Sequence, residues 1–170
     1  VASPLVINIV ELTRRPGAVK DVQVEVTAES LAFDDERIDG SHDVGVDLQV
    51  ESVSGGLVVH GEVTAHAHGV CSRCLADIDL RLSSRVDEIY QRVPDNPDAY
   101  PLEGEQMDLS EMVRETVLLG IPEAPLCRPD CPGLCPTCGA NLSAGPCGCA
   151  PKQGDDRWAV LDQLKGKLPE

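Results

Sequence analysis

Apolar and polar residues alternate with a period of two through most of the first half of the chain. Val22, Val24 and Val26 alternate with Gln23 and Glu25, and Val44, Val46, Leu48 and Val50 alternate with Gly45, Asp47 and Gln49. Val63, Ala65 and Ala67 keep the same period, and Ile78, Leu80 and Leu82 alternate with Asp77, Asp79 and Arg81. Successive side chains of a strand point to opposite faces, so the pattern predicts strands with one buried and one solvated face. That is the signature of an antiparallel β-sheet or small barrel. The run Leu5-Val6-Ile7-Asn8-Ile9-Val10, ended by Pro16-Gly17, predicts a further strand. Ser54-Gly55-Gly56 predicts a hairpin leading into Leu57-Val58-Val59-His60. The β reading runs from residue 1 to about residue 92.

The pattern then changes. Residues 93–107 are turn-rich and acidic and predict an exposed loop. From Asp108 the period becomes helical: Leu109, Met112, Val113, Thr116 and Val117 share one side. Asp108 and Glu111 form a capping-box-like pair, and Gly120 and Pro122 stop the helix. It is predicted to cover the open face of the sheet. Residues 127–150 are dominated by Cys, Gly and Pro and cannot build a core without metal or disulfides. A last short helix is predicted after Asp155 or Asp156, with Trp158, Leu161 and Leu164 on one side and Gly166 at its end. The expected class is α+β: an antiparallel sheet or small barrel with a covering helix, then a zinc-knuckle tail and a short C-terminal helix. The expected division is an acidic β-rich domain over 1–126 and a Cys-rich tail with the last helix over 127–170.

Composition sharpens this picture. Phe33, Tyr90, Tyr100 and Trp158 are the only aromatic residues, so the core must be built from Val, Leu, Ile and Ala. The net charge is −15, and residues 1–126 carry all of it. The tail is balanced, with Arg128, Lys152, Arg157, Lys165 and Lys167 against five carboxylates. An acidic surface repels phosphate backbones and attracts basic proteins, and it also serves plain solubility. No apolar run approaches the ~20 residues of a membrane span. Val1-Ala2-Ser3-Pro4 lacks the basic and apolar regions of a signal peptide, which points to the cytoplasm.

The cysteines carry the most specific chemistry. Cys71-Ser-Arg-Cys74 is a C-x2-C pair, followed by Cys127-x3-Cys131, Cys135-Pro-Thr-Cys138-Gly139 and Cys147-Gly-Cys149. The Cys135–Gly139 segment has the form of a zinc knuckle. Its short bite turns two thiolates toward one ion, and the glycine relieves the tight turn. Zinc prefers four such ligands, and eight cysteines divide into two quartets. The preferred division puts Cys71, Cys74, Cys127 and Cys131 in one site and Cys135, Cys138, Cys147 and Cys149 in another. The rival division draws every ligand from 127–149, around one ion or a two-zinc cluster. Closed four-thiolate sites leave no open position for water, so two Zn²⁺ ions would be structural, and would bring the net charge to about −19.

Other chemistries fit less well. Disulfide scaffolds are usually shorter and secreted. The spacing matches neither common ferredoxin pattern, and Cys71–Cys74 does not lie in a βαβ unit as a redox motif would. His60, His66 and His68 lie on or near one strand. Two of them could share a metal, although solvent-facing strand positions explain them more simply. No phosphate loop, G-x-S-x-G or His-Glu-x-x-His is present, and no catalytic residues are assigned.

Taken together, Cys71-Ser-Arg-Cys74-Leu75 after a β-rich half resembles the C-x-R-C signature of the YceD-like family of bacterial large ribosomal RNA subunit accumulation proteins. The downstream order is also similar: an amphipathic helix, Leu119 to Cys127, Cys131-Pro-Gly-Leu-Cys135-Pro-Thr-Cys138-Gly-Ala-Asn-Leu142, and Asp155-Asp-Arg-Trp158-Ala-Val-Leu161. The resemblance covers roughly residues 60–165. The Cys-rich tail looks like the version in Gram-positive and actinobacterial members. Other members lack the 135–149 cysteines but keep the first pair and a later His or Cys pair, which favours the two-site division.

The resemblance implies a non-enzymatic role in accumulation of large-subunit (23S) rRNA during ribosome assembly. Two modes of action are expected. In the first, the acidic half binds a basic ribosomal protein or a large-subunit assembly intermediate. In the second, the tail binds rRNA through Arg73, Arg128, Lys152, Arg157, Lys165 and Lys167, although stacking aromatics are scarce. A nuclease or thiol oxidoreductase is a distant third. Neither a membrane nor a small-molecule substrate is expected.

Overall fold

The structure is a computed structural model that describes residues 3–94, 97–150 and 161. Its centre is a long antiparallel meander. Strands β2 (Val19–Thr27), β3 (Asp43–Val53), β4 (Gly56–Val70) and β5 (Asp77–Gln91) pair in that order, and β6 (Tyr100–Pro101) adds a parallel edge beside β5. A separate two-stranded ribbon joins β1 (Val6–Asn8) to β7 (Gln106–Asp108). Helix α1 (Val10–Arg14) packs on β3, and helix α2 (Ser110–Leu119) packs on β4 and β5. The fold is thus α+β, and of the two sheet forms expected it is the open one. Strands β2 and β6 remain at opposite edges and do not close a barrel.

The alternating residues explain the sheet. Val44, Val46, Leu48 and Val50 of β3, and Leu57, Val59, Val63, Ala65 and Ala67 of β4, are all buried on one side. Helix α2 lays Met112, Val113 and Val117 onto this side, with Leu109 just before its first turn. Burying each such side chain stabilises the fold by about 1.5–3 kcal/mol. The hairpin between β3 and β4 closes at Val53–Gly56. At Gly61, in mid-β4, φ is +144° and an added Cβ would lie 2.1 Å from the Asp47 carbonyl oxygen, so only glycine lets β3 and β4 stay paired there.

Two local expectations need correction. The run Leu5–Val10 is not one strand: β1 ends at Asn8, whose side chain accepts the Val10 N–H at 3.0 Å and starts α1. Apolar spacing with Leu5, Ile7, Ile9 and Leu12 buried serves both elements. The segment 93–107 is not simply an exposed loop. It holds β6 and the first residues of β7, with Ala99, Leu102 and Met107 buried. The Asp108 side chain does accept the Ser110 N–H at 2.8 Å, one position ahead of the helix boundary. The predicted C-terminal helix, with Trp158 and Leu164, lies outside the described residues.

The opposite side of the sheet has no covering helix among the described residues. Its rungs run Asp21–Gln49–His60–Asp87 and Gln23–Asp47–Glu62–Arg85 across the four long strands. Glu25, Asp43, Glu51, Asp77 and Asp79 add further carboxylates on this side, against Arg81 and Arg85. No helix among the described residues is long and apolar enough to cross a membrane.

Candidate metal centres

The β4–β5 hairpin is closed by the six residues 71–76, which form a knuckle. The Cys71 N–H donates to the Ala76 carbonyl at 2.8 Å, and the Leu75 N–H donates back to the Cys71 carbonyl at 2.9 Å. The tail repeats the motif: the Cys135 N–H donates to the Ala140 carbonyl at 2.8 Å, and the Gly139 N–H to the Cys135 carbonyl at 2.9 Å. Both turns need a left-handed residue after the second cysteine, Leu75 at φ +59° and Gly139 at φ +73°. The likeness was readable in the sequence as Cys-x-x-Cys-x-Ala in both segments, but the leucine conceals it.

The structure brings the eight sulfurs into two groups. Cys71, Cys74, Cys127 and Cys131 converge within 4.8 Å of one another, as do Cys135, Cys138, Cys147 and Cys149. In the first group Sγ of Cys71 is 3.8 Å from that of Cys131, and Sγ of Cys74 is 3.7 Å from that of Cys127. All eight are free thiols. Each group could hold a metal ion, because four sulfur donors face one point. The division that draws every ligand from 127–149 does not match these groups.

The two centres differ in setting. Cys71, Cys74 and Cys131 are buried in a small apolar cluster of their own with Ile78, Leu126 and Leu134. In the second centre Cys138 is exposed and Cys147 and Cys149 are half-buried. Backbone bonds tie them together. The Leu134 N–H donates to the Arg73 carbonyl at 3.0 Å, and the Leu142 N–H to the Gly133 carbonyl at 3.0 Å. Gly133 fits because an added Cβ would lie 3.0 Å from the Arg73 carbonyl oxygen. The Ser72 N–H donates to the Pro125 carbonyl at 2.9 Å and docks the segment before Cys127.

Without metal, the thiols of each group shift one another's proton affinity. The Cys127 and Cys74 backbone N–H groups lower Cys71 to about 6, against burial. The Cys138 and Thr137 backbone N–H groups do the same for Cys135, also to about 6. The Cys131 sulfur and burial push Cys127 up to about 12, and the Cys138 and Cys147 sulfurs push Cys149 up to about 12. The Ala76 N–H pulls Cys74 down, but the Cys71 sulfur and burial outweigh it and the thiol lies above its ordinary value. A bound cation removes this mutual repulsion.

The basic candidates are partly accounted for. Arg73 donates from Nη1 to the Cys131 carbonyl at 3.0 Å. Arg128 approaches Asp130 at 3.4 Å and the Ser143 hydroxyl at 3.4 Å. Lys152, Arg157, Lys165 and Lys167 lie outside the described residues. The histidines are in contact with neighbours: His66 stacks on His42 with ring centres 4.3 Å apart, His68 reaches Asp39 and Asp79, and His60 reaches Asp87. They do not join a metal-binding group among the described residues.

Known proteins resemble the chain over both halves. Residues 59–165 match the model of the family described as "Large ribosomal RNA subunit accumulation protein YceD". An uncharacterized protein of Mycobacterium tuberculosis is 37% identical over 175 residues, covering 98% of this chain and 84% of that protein. A counterpart in Mycobacterium leprae is 34% identical over 180 residues, covering 99% of this chain and 81% of that protein. The chloroplastic "Large ribosomal RNA subunit accumulation protein YCED homolog 1" of Arabidopsis thaliana is 31% identical over 71 residues, covering 42% of this chain and 22% of its own. No solved structure matches significantly. With a family match over well over half its length and near full-length similarity to the mycobacterial proteins, the chain belongs to the YceD family.

Proposed function

We propose that this protein is a non-enzymatic cytoplasmic factor in the accumulation of large-subunit rRNA. In this reading two Zn²⁺ ions fix its structure, and it acts by holding a basic ribosomal protein or a large-subunit assembly intermediate on its acidic face. Kinship supports the link to rRNA. The observation that carries the mode of action is the carboxylate-rich side of the sheet, over which no helix packs among the described residues. Basic ribosomal proteins need shielding until rRNA takes them up, and an acidic surface supplies it through long-range attraction.

Donor chemistry supports zinc as the metal. Thiolate quartets select soft or borderline cations, and tetrahedral zinc with bonds of ~2.3 Å puts its sulfurs about 3.8 Å apart. The spacings of 3.8 and 3.7 Å in the first centre suit that geometry. Four thiolates fill the coordination sphere, so the metal's task is structural, and the role needs no small-molecule substrate. Direct rRNA binding by the tail is the second reading, and the engagement of Arg73 and Arg128 with the protein's own groups counts against it.

Two measurements test the proposal. Depletion in the native host should lower 23S rRNA relative to 16S rRNA. Purified protein should retain a basic large-subunit ribosomal protein at low salt and release it as salt rises through the range where surface charges are screened. Unchanged rRNA ratios, or no retention at low salt, would count against it.

A further inference from the structure

A groove lies where the first metal centre meets the end of the acidic sheet. Its volume is about 680 Å³, and it runs beside the 71–76 knuckle between the loop at residues 36–37 and the segment 121–125. It opens where β3 has left β4: their pairing ends at Gly45–Thr64, and only the isolated bridge Ile38–Ala67 continues beyond it. Its apolar lining includes Val70, Ile78 and Pro125. Val70 is 49% exposed and lies beside its strand partner Asp77. The rim is acidic, with Glu36, Asp77 and Glu123. Arg37 also lines it, but Asp35 holds that guanidinium through bonds of 3.0 and 2.7 Å and neutralises its charge.

We infer that this groove docks an extended, lysine- or arginine-bearing segment of a basic protein, with an apolar side chain seated on its apolar lining. The inference rests on the proposed role as a holder of basic proteins and narrows that role to one place. Charge complementarity selects the occupant. A carboxylate rim repels nucleic acid and acidic peptides, and it attracts ammonium and guanidinium groups whose alkyl stems can also cover apolar surface. The apolar lining supplies what the polar rungs of the sheet do not, an apolar seat for an anchoring side chain.

The test uses the full-length, metal-loaded protein and a fluorescent synthetic peptide of alternating lysine and leucine, read by anisotropy. Charge reversal at the rim, Asp77→Lys with Glu123→Lys, should weaken binding about tenfold. The same charge change far along the sheet, Asp21→Lys with Asp47→Lys, should alter it no more than about twofold. Val70→Ser should weaken the lysine–leucine peptide but not a lysine–serine peptide. Each variant is compared only at wild-type metal content and circular dichroism. Equal weakening by both charge pairs would overturn the groove and leave the holder role standing. An absence of peptide binding would also overturn the groove. The holder role falls with it only if a basic ribosomal protein is not retained either.

Discussion

Leu75 holds a costly backbone conformation with little burial to offset it. It sits in the left-handed region at φ +59° and is 64% exposed, while its counterpart in the second knuckle is Gly139. A side chain in that region costs roughly 1–2 kcal/mol, partly offset in a glycine variant by a more flexible unfolded chain. Leu75→Gly should therefore stabilise the metal-loaded protein by about 1 kcal/mol in urea denaturation; a loss of stability would show that the leucine makes contacts that outweigh its strain. The thiols make a second residue-level prediction. In the metal-free protein Cys127 and Cys149 titrate near 12, so at pH 7 each centre must expel at least one proton to bind a cation. Binding lowers those values, so metal-linked stability is present at high pH and lost as pH falls. Below about 6, Cys71 and Cys135 must be deprotonated as well, and the loss should steepen there. Titration calorimetry in buffers of different ionisation enthalpy should record proton release at pH 7. Zero release would contradict the assigned thiols.

At the scale of elements, the long meander depends on a close approach that only one residue type allows. Gly61→Ala would put a methyl carbon 2.1 Å from the Asp47 carbonyl oxygen. It should cost about 2 kcal/mol or more and raise hydrogen exchange along β3 and β4. Wild-type stability would mean that the strands can part without cost. The long strands were legible because alternation over many residues has one structural meaning, as in Val44 to Val50. Helix α2 was legible for the same reason, at a period near 3.6. The short elements were not. Strand β1 exists because Val6–Asn8 pair with residues about a hundred positions away, and α1 starts on a side chain of Asn8 that the local apolar run does not reveal. Strand β6 is two residues held beside β5, where Tyr90 and Tyr100 stack with ring centres 5.0 Å apart, a contact that no periodicity encodes. Spacing marked the cysteine pairs as candidate ligands but left two divisions open, because it does not encode that the β4–β5 turn meets the segment 127–131; Leu75 obscured the likeness of the two knuckles.

Across the whole molecule, the main core contains no cysteine, and the sulfurs of the first centre form a separate small cluster. We propose that residues 1–126 and 127–170 behave as separate units joined by the first centre. Chelation should then leave the strand signal in circular dichroism while exposing the tail to protease beyond about residue 126. A single cooperative loss of both would contradict that division. In the proposed reading, the same layout leaves one side of the sheet acidic and without a helix among the described residues, and metal rather than a larger core would order the tail. All of this depends on two separate cysteine quartets that each close around one ion. Metal analysis of the purified protein tests that most directly. The wild type should carry two zinc ions, and Cys71→Ser and Cys138→Ser should each lose about one. A zinc-free protein with its cysteines joined as disulfides, or one variant that empties neither centre, would contradict it.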